Sequence, residues 1–198
     1  MTPRHRHITV FAVLSAVSAL LFAICLLVGT VDIPPRQVIN ALTGQPVEKM
    51  AWEVIVVDAR LPMCVTATLA GAALAVAGLL LQTTFDNPLA GPSILGISTG
   101  ASLGVAVVML AFGGIVATGA GVYAGTLAGA IAGAAVIMAV LLLFSSVVKS
   151  AVMLLIVGIM VGYLASSVIS LLNFFATQEG VHSFVIWGLG NFSSVTLD

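Results

Sequence analysis

The sequence has very little charge. Of its 198 residues, 6 are lysine or arginine and 7 are aspartate or glutamate, so that charged residues make up 7% of the chain and hydrophobic residues 61%. An average soluble domain carries about 25% charged residues, and most of this chain therefore cannot face water. The net charge of −1 and the lack of a basic stripe argue against nucleic-acid binding. The composition indicates a membrane protein.

Motifs for catalysis and metal binding are also missing. The sequence contains no HExxH, no CxxC and no P-loop, so we predict no metal site, no cofactor and no ATP hydrolysis in this chain. The two cysteines, Cys25 and Cys64, lie in apolar runs, where we expect small packing residues. Residues 96–100 match the G-x-S-x-G pattern of hydrolases. However, they lie in a predicted helix, and the predicted topology places His182 on the opposite side of the membrane from Ser98.

Five apolar runs predict membrane-spanning helices. They cover about 8–29, 61–82, 93–111, 123–144 and 151–174. The first run is longer than the apolar part of a signal peptide and reaches about 33 Å, enough to cross a bilayer. Because no charged residue occurs between Asn87 and Val148, this stretch must fold back, with a turn expected at Gly113-Gly114 and residues 118–121. We expect an all-α, polytopic membrane helix bundle forming a single domain over residues 1–198, with an extracytoplasmic segment at 31–60 and a tail at 175–198.

The basic residues give a weak indication of orientation. Each side of the predicted membrane carries three of them, Arg4, Arg6 and Lys149 on one side and Arg36, Lys49 and Arg60 on the other. The count is therefore tied. We favour a cytoplasmic N-terminus because Arg4 and Arg6 lie directly against the first span, beside His5 and His7.

Glycines recur every four residues in three of the predicted spans. The sets are Gly96, Gly100 and Gly104; Gly121, Gly125, Gly129 and Gly133; and Gly158 with Gly162. This spacing places each set on one helix face, where helix backbones can approach closely. Hydroxyl groups at Ser98, Thr99 and Ser102 lie among the first set. They favour either hydrogen bonds between helices or the lining of a cavity.

Several short segments around the second and third spans fall in the order and spacing of one known pattern. They are Arg60-Leu61-Pro62, Gly71-Ala72-Ala73-Leu74-Ala75, Gly78, Gln82, Asn87-Pro88-Leu89-Ala90, Pro92, Leu95-Gly96-Ile97-Ser98 and Gly100-Ala101, with Trp187 and Gly190 after the fifth span. In these segments the chain resembles the FecCD-type permease subunit of ABC importers for iron–siderophores, haem and cobalamin. The resemblance implies a multi-pass transport subunit of the bacterial cytoplasmic membrane, not an enzyme. It also implies a second permease chain, a separate ATPase subunit and a periplasmic binding protein as partners.

The resemblance further implies roles for particular residues. In the family, the segment after N-P-L-A and the fifth span line or gate the translocation path. The candidates at these positions are Asn87, Ser98, Thr99, Ser166, Ser167 and Asn173. In the family, the arginines of an R-L-P-R motif face the binding protein. Arg60 matches the first of them and is the docking candidate, although Met63 replaces the second, and snorkelling of Arg60 to the membrane surface is the simpler interpretation.

The matched segments correspond to the N-terminal, five-span portion of a longer permease. We therefore expect a fragment, a truncated product or half of a split permease. The alternative from another class is a small helical membrane scaffold that binds a partner permease through its glycine faces. A secondary transporter ranks third, because such proteins usually carry ionisable residues within their spans.

Overall fold

The computed structural model describes residues 3–111, 120–148, 150–193 and 195. It confirms the all-α prediction: the described residues form eight α-helices and two π-helical segments, without a strand. The α-helices are α1 (Pro3–Leu27), α2 (Pro35–Thr43), α3 (Met50–Val54), α4 (Leu61–Thr84), α5 (Ile97–Ala106), α6 (Ala120–Val147), α7 (Ala151–Phe175) and α8 (Gln178–Leu189). The π-helical segments are Ile55–Arg60, which joins α3 to α4, and Val107–Ala111, which continues α5.

Among the described residues, four helical stretches are long and apolar enough to cross a membrane. They are His5–Leu27, Met50–Thr84, Tyr123–Val147 and Ala151–Phe175. Ile97–Leu110 is a shorter apolar helix, so the predicted third span is helical only from Ile97 onward. The turn predicted at Gly113-Gly114 and after Thr118 lies outside the described residues, as does Lys149. The predicted tail contains α8, which the apolar periodicity alone did not reveal.

Within the described residues, one compact unit runs up to Ala72 and includes the end of the chain from Asn191 onward. Its buried core is formed by Ile33, Val38, Ala41 and Val56. The amphipathic helix α2 supplies two of these residues. It has Pro35 at its first position, where a missing N–H costs least, and it ends at Gly44, whose φ of 69° favours glycine. This unit therefore holds the polar segment 31–60 together around a small apolar core.

The second compact unit spans Ala73–Gly190. In it α5 packs against α6 and α7. Its buried core consists of Ala90, Leu95, Ile137, Leu141 and Leu155. Ser150 accepts a hydrogen bond from the Met153 N–H at the start of α7, and Thr177 accepts one from the Gly180 N–H at the start of α8. These caps satisfy donors that a helix start leaves unpaired.

Candidate functional site

The short helix α5 lies against α6 with almost no space between the two backbones. A Cβ atom on Gly104 would overlap the carbonyl oxygen of Gly129, and one on Gly133 would overlap the carbonyl oxygen of Gly100. The contacts are reciprocal, since a Cβ on Gly129 would meet the carbonyl oxygen of Gly104 at 2.9 Å. This confirms that the four-residue glycine spacing brings these two helix faces together.

A second glycine contact joins the start of α5 to α7. Gly96 precedes α5 with a φ of 76°, and a Cβ there would lie 2.9 Å from the carbonyl oxygen of Gly158. On the other side, a Cβ on Gly158 would lie 3.1 Å from the Cα of Leu95. Gly96 therefore needs to be glycine for two reasons, its backbone conformation and the close approach of α7. Together the two contacts fix α5 between α6 and α7.

Two path candidates, Ser98 and Thr99, lie in the first turn of α5. Ser98 is exposed, whereas Thr99 is half-buried and points toward α7: a Cβ on Gly162 would lie 3.9 Å from its Oγ1. Thus the structure brings Thr99 to the glycine face of α7. Ser98 presents a hydroxyl on the open side of the same helix turn.

The candidates on α7 have different surroundings. Ser166 follows Gly162 by one helical turn and is exposed, and Ser167 is exposed and donates a hydrogen bond to the Tyr163 carbonyl at 2.9 Å. Asn173 is half-buried, and its Oδ1 is a buried acceptor with no hydrogen-bond partner among the described residues. A buried amide oxygen normally has a partner. Asn173 is therefore a candidate whose buried acceptor is left for a ligand or for another chain.

Asn87 shapes the connection between α4 and α5. Its Oδ1 accepts a hydrogen bond from the Leu89 N–H at 2.9 Å, and its carbonyl accepts one from the Ala90 N–H at 3.1 Å. The preceding residue, Asp86, has a φ of 45°, a left-handed conformation that asparagine and aspartate tolerate better than most residues. The side chain of Asn87 thus holds the turn that delivers Ala90 and Leu95 to the core of the second unit.

Arg60, the docking candidate, is only 7% exposed. Its guanidinium donates hydrogen bonds to the carbonyl oxygens of Leu26 and Leu27, both at 3.1 Å, and to that of Val31. The last carbonyls of a helix lack partners within the helix and carry partial negative charge, so a cation is favoured there. In this structure Arg60 closes the end of α1, and docking of a binding protein to Arg60 stays a prediction.

Sequence reasoning did not identify two features of these sites. One is the role of Arg60 at the end of α1, because its acceptors lie 29–34 positions away and are backbone atoms, which carry no sequence signal. The other is the π-helical geometry at Ile55–Arg60 and Val107–Ala111. A weak signal existed for the first feature, since a lone arginine at an apolar boundary needs several acceptors.

Three comparisons with known proteins identify what this arrangement resembles. The model of the FecCD transport family matches residues 17–198. The ferric enterobactin transport system permease protein FepD of Escherichia coli (strain K12) is 42% identical over 91 residues, which are 46% of this chain and 27% of that protein. The vitamin B12 import system permease protein BtuC of Vibrio parahaemolyticus is 41% identical over 99 residues, which are 50% of this chain and 27% of that protein.

The fold is also similar to a solved structure. That structure is described as a metal-chelate type ABC transporter in an inward-facing conformation, and it has a TM-score of 0.71 and 27% sequence identity. The match covers 96% of this chain and 55% of that chain. Hence the described helices follow the solved fold almost throughout, while this chain spans about half the length of the solved one.

Proposed function

Because the chain belongs to the FecCD transport family, we propose that it is a membrane-spanning permease component of an ABC importer. The observation that carries the proposal is the structural likeness over 96% of the chain to a metal-chelate type ABC transporter. The four stretches suited to crossing a membrane make the chain a multi-pass membrane protein. We place it in the bacterial cytoplasmic membrane, where importers of this kind work.

The proposed substrate is an iron–siderophore, haem or cobalamin-type chelate. Support comes from relatives named as permeases for the import of ferric enterobactin, of vitamin B12 and, in Bacillus subtilis, of Fe(3+)-citrate. The candidate path residues are uncharged and offer hydroxyl and amide groups. Such groups can contact the outside of a chelate whose metal is already coordinated by its own ligands.

Two elements of the second unit form the proposed path. On α5 and the turn before it, the path residues are Asn87, Ser98 and Thr99; on α7 they are Ser166, Ser167 and Asn173. The glycine contacts fix α5 against α7, which keeps these polar groups at defined positions. Packed backbones of this kind favour movement as a rigid body over local bending, as alternating access requires.

The proposed importer needs partner proteins for ATP hydrolysis, for a complete path and for delivery of the chelate. An ATPase subunit would hydrolyse ATP, a second permease chain would complete the central path, and a periplasmic binding protein would deliver the chelate. Arg60 remains our candidate for docking the binding protein. Its buried guanidinium implies that this role would act through the position of the α1 end, not through direct contact.

The test is reconstituted transport. We would place the chain in lipid vesicles with its second permease chain and the ATPase, add binding protein outside and ATP inside, and measure uptake of three labelled probes: ferric enterobactin, ferric citrate and vitamin B12. We expect ATP-dependent accumulation of at least one probe. The matched control carries an ATPase whose P-loop lysine is replaced, and it should show no accumulation.

Equal uptake in both preparations, or no uptake of any probe by the complete set, would contradict the proposal. Replacing Asn173 by alanine gives a further check, because loss of an unpaired amide that contacts the chelate should raise the KM for uptake. Ser145→Ala, which removes an exposed hydroxyl bonded only to the Leu142 carbonyl of its own helix, is its matched control.

A further inference from the structure

The only two cysteines of the chain face each other in the first unit. Cys25 lies near the end of α1 and Cys64 near the start of α4, 39 positions later, and their Sγ atoms are 2.7 Å apart. Both are free thiols. A covalent S–S bond is about 2.05 Å long, so the two sulfurs need to approach by only about 0.7 Å to form one.

The surrounding structure holds the two thiols in this position. The Arg60 guanidinium, one turn before Cys64, is hydrogen-bonded to the carbonyls of Leu26 and Leu27, directly after Cys25. Gly29 is so close to this guanidinium that a Cβ there would lie 2.6 Å from one of its nitrogens. The end of α1 and the start of α4 are therefore held together by hydrogen bonds next to the sulfurs. The positions of the cysteines do not depend on a flexible loop.

One of the two thiols is also accessible to a small reagent. Cys25 is exposed, while Cys64 is 2% exposed and lies behind it. Both line an open groove of about 600 Å³ between α1 and α4, with Phe22, Ala67 and Thr68 among its other walls. A small apolar oxidant can reach Cys25 first, and Cys64 is then the nearest nucleophile.

The distance between the sulfurs favours a bond over a shared metal ion. In a thiolate site each Zn–S bond is about 2.3 Å, and tetrahedral geometry then separates two sulfurs by well over 3 Å. At 2.7 Å the Cys25 and Cys64 sulfurs are too close to coordinate one ion in this way. The geometry therefore suits direct oxidation.

We propose that Cys25 and Cys64 are an oxidisable thiol pair whose disulfide links the end of α1 to the start of α4. This inference does not depend on the proposed transport function. With a small disulfide R–S–S–R as oxidant, the Cys25 thiolate attacks one sulfur and releases R–S⁻. The Cys64 thiolate then attacks the Cys25 sulfur and releases the second R–S⁻. The two thiols lose two electrons and two protons, and the oxidant becomes two R–SH.

The test uses the full chain in detergent, reduced and then treated with 2,2′-dithiodipyridine, a small apolar disulfide. We expect a monomer lighter by two hydrogen atoms, carrying no pyridyl adduct and returning to the original mass with dithiothreitol. The Cys64→Ser variant, which keeps the exposed Cys25, should instead retain one pyridyl adduct, and the Cys25→Ser variant, which keeps the buried Cys64, should form no disulfide within the chain. Intact mass and a non-reducing gel distinguish these products without any transport assay.

A positional control moves one thiol by a helical turn. In the double variant Cys64→Ser with Thr68→Cys, internal cross-linking should slow at least tenfold, since the new thiol lines the same groove but lies one helical turn along α4 from the position opposite Cys25. A wild-type chain that keeps two adducts, or that cross-links only to a second chain, would overturn the proposal. Equally fast disulfide formation in the shifted variant would also overturn the proposal, because it would show that the close placement of Cys25 and Cys64 is not specific.

Discussion

Arg60 shows how a single residue can have a role that its motif does not suggest. Its place in an R-L-P segment resembles a position that docks the binding protein. However, its guanidinium is buried and donates hydrogen bonds to three backbone carbonyls. Burying an arginine costs free energy unless its donors find acceptors. Two of these acceptors, the carbonyls of Leu26 and Leu27, belong to the last turn of α1, where they lack partners within the helix. The same hydrogen bonds therefore satisfy the buried guanidinium of Arg60 and the unpaired carbonyls of α1.

Replacing Arg60 by alanine should destabilise the chain by about 2–3 kcal/mol, because it removes hydrogen bonds from a charged group and leaves buried carbonyls unpaired. Lysine should recover only part of this loss, since its ammonium lacks the planar fork that reaches separate carbonyls. The measurement is unfolding in increasing sodium dodecyl sulfate, followed by the fluorescence of Trp52 near the core of the first unit in a background with Trp187→Phe.

Arg36→Ala is the matched control, because Arg36 is an exposed arginine in the same polar segment. It should leave the unfolding midpoint almost unchanged. If Arg60→Ala unfolded like Arg36→Ala but bound the binding protein more weakly, Arg60 would be a docking residue and the structural role would be wrong.

Gly104 and Gly78 should respond in opposite directions to the same substitution. Alanine at Gly104 places a methyl group on the Gly129 carbonyl and should cost at least about 2 kcal/mol. Alanine at Gly78 in α4 meets nothing within 4 Å and should stabilise the helix by about 0.5–1 kcal/mol. Unfolding midpoints of the two variants in the same detergent measure the difference. Equal midpoints would contradict the close packing of α5 on α6.

At the scale of elements, the sequence predicted the long helices well but missed α8 and the late start of α5. The helices α1, α6 and α7 follow from long unbroken apolar runs, because a helix is the structure in which one such segment satisfies its backbone hydrogen bonds by itself in a membrane. The late start of α5 was less predictable. It depends on the turn at Asp86 and Asn87 and on the approach of α7 to Gly96, contacts between residues far apart in sequence.

The candidate site also depends on contacts between distant residues, which the sequence does not reveal. Composition and spacing identified the glycine faces, because small residues at every fourth position have few other uses in a helix bundle. They could not tell which hydroxyls point outward. Thr99 faces α7, whereas its neighbour Ser98 is exposed, and this difference depends on the rotation of α5 about its axis.

Ser166 and Leu164 on α7 provide a test of the proposed path, since both side chains are exposed in the chain. We would introduce a cysteine at either position in a background with Cys25→Ser and Cys64→Ser. In the assembled importer, Ser166→Cys should react with a charged methanethiosulfonate at least tenfold faster than Leu164→Cys, because the charged reagent enters water-filled paths but not lipid. Equal rates at the two positions would remove Ser166 from the path.

For the molecule as a whole, many large apolar side chains are exposed because no other described part of the chain packs against them. In α1, Leu20 and Leu21 are both 60% exposed, and in α4 Leu79 and Leu80 are 64% and 62% exposed. Side chains of this kind cannot be arrayed along whole helices in water, so they face lipid or the helices of another chain. Such surface is what the proposed importer component needs for contact with lipid and with a second permease chain.

The orientation of the chain in the membrane matters for both the transport proposal and the thiol-pair proposal. With a cytoplasmic N-terminus, segment 31–60 and the adjoining cysteine pair lie at the extracytoplasmic side, where disulfides persist. In the cysteine-free background, Arg36→Cys should then react with a membrane-impermeant maleimide on intact spheroplasts, and His5→Cys should react only after permeabilisation. Both positions are exposed, so that access is decided by the membrane alone. The opposite pattern would invert the topology and place the thiol pair against the reducing cytosol. The pair would then have the same geometry but would be kept reduced by the cytosolic thiol pool.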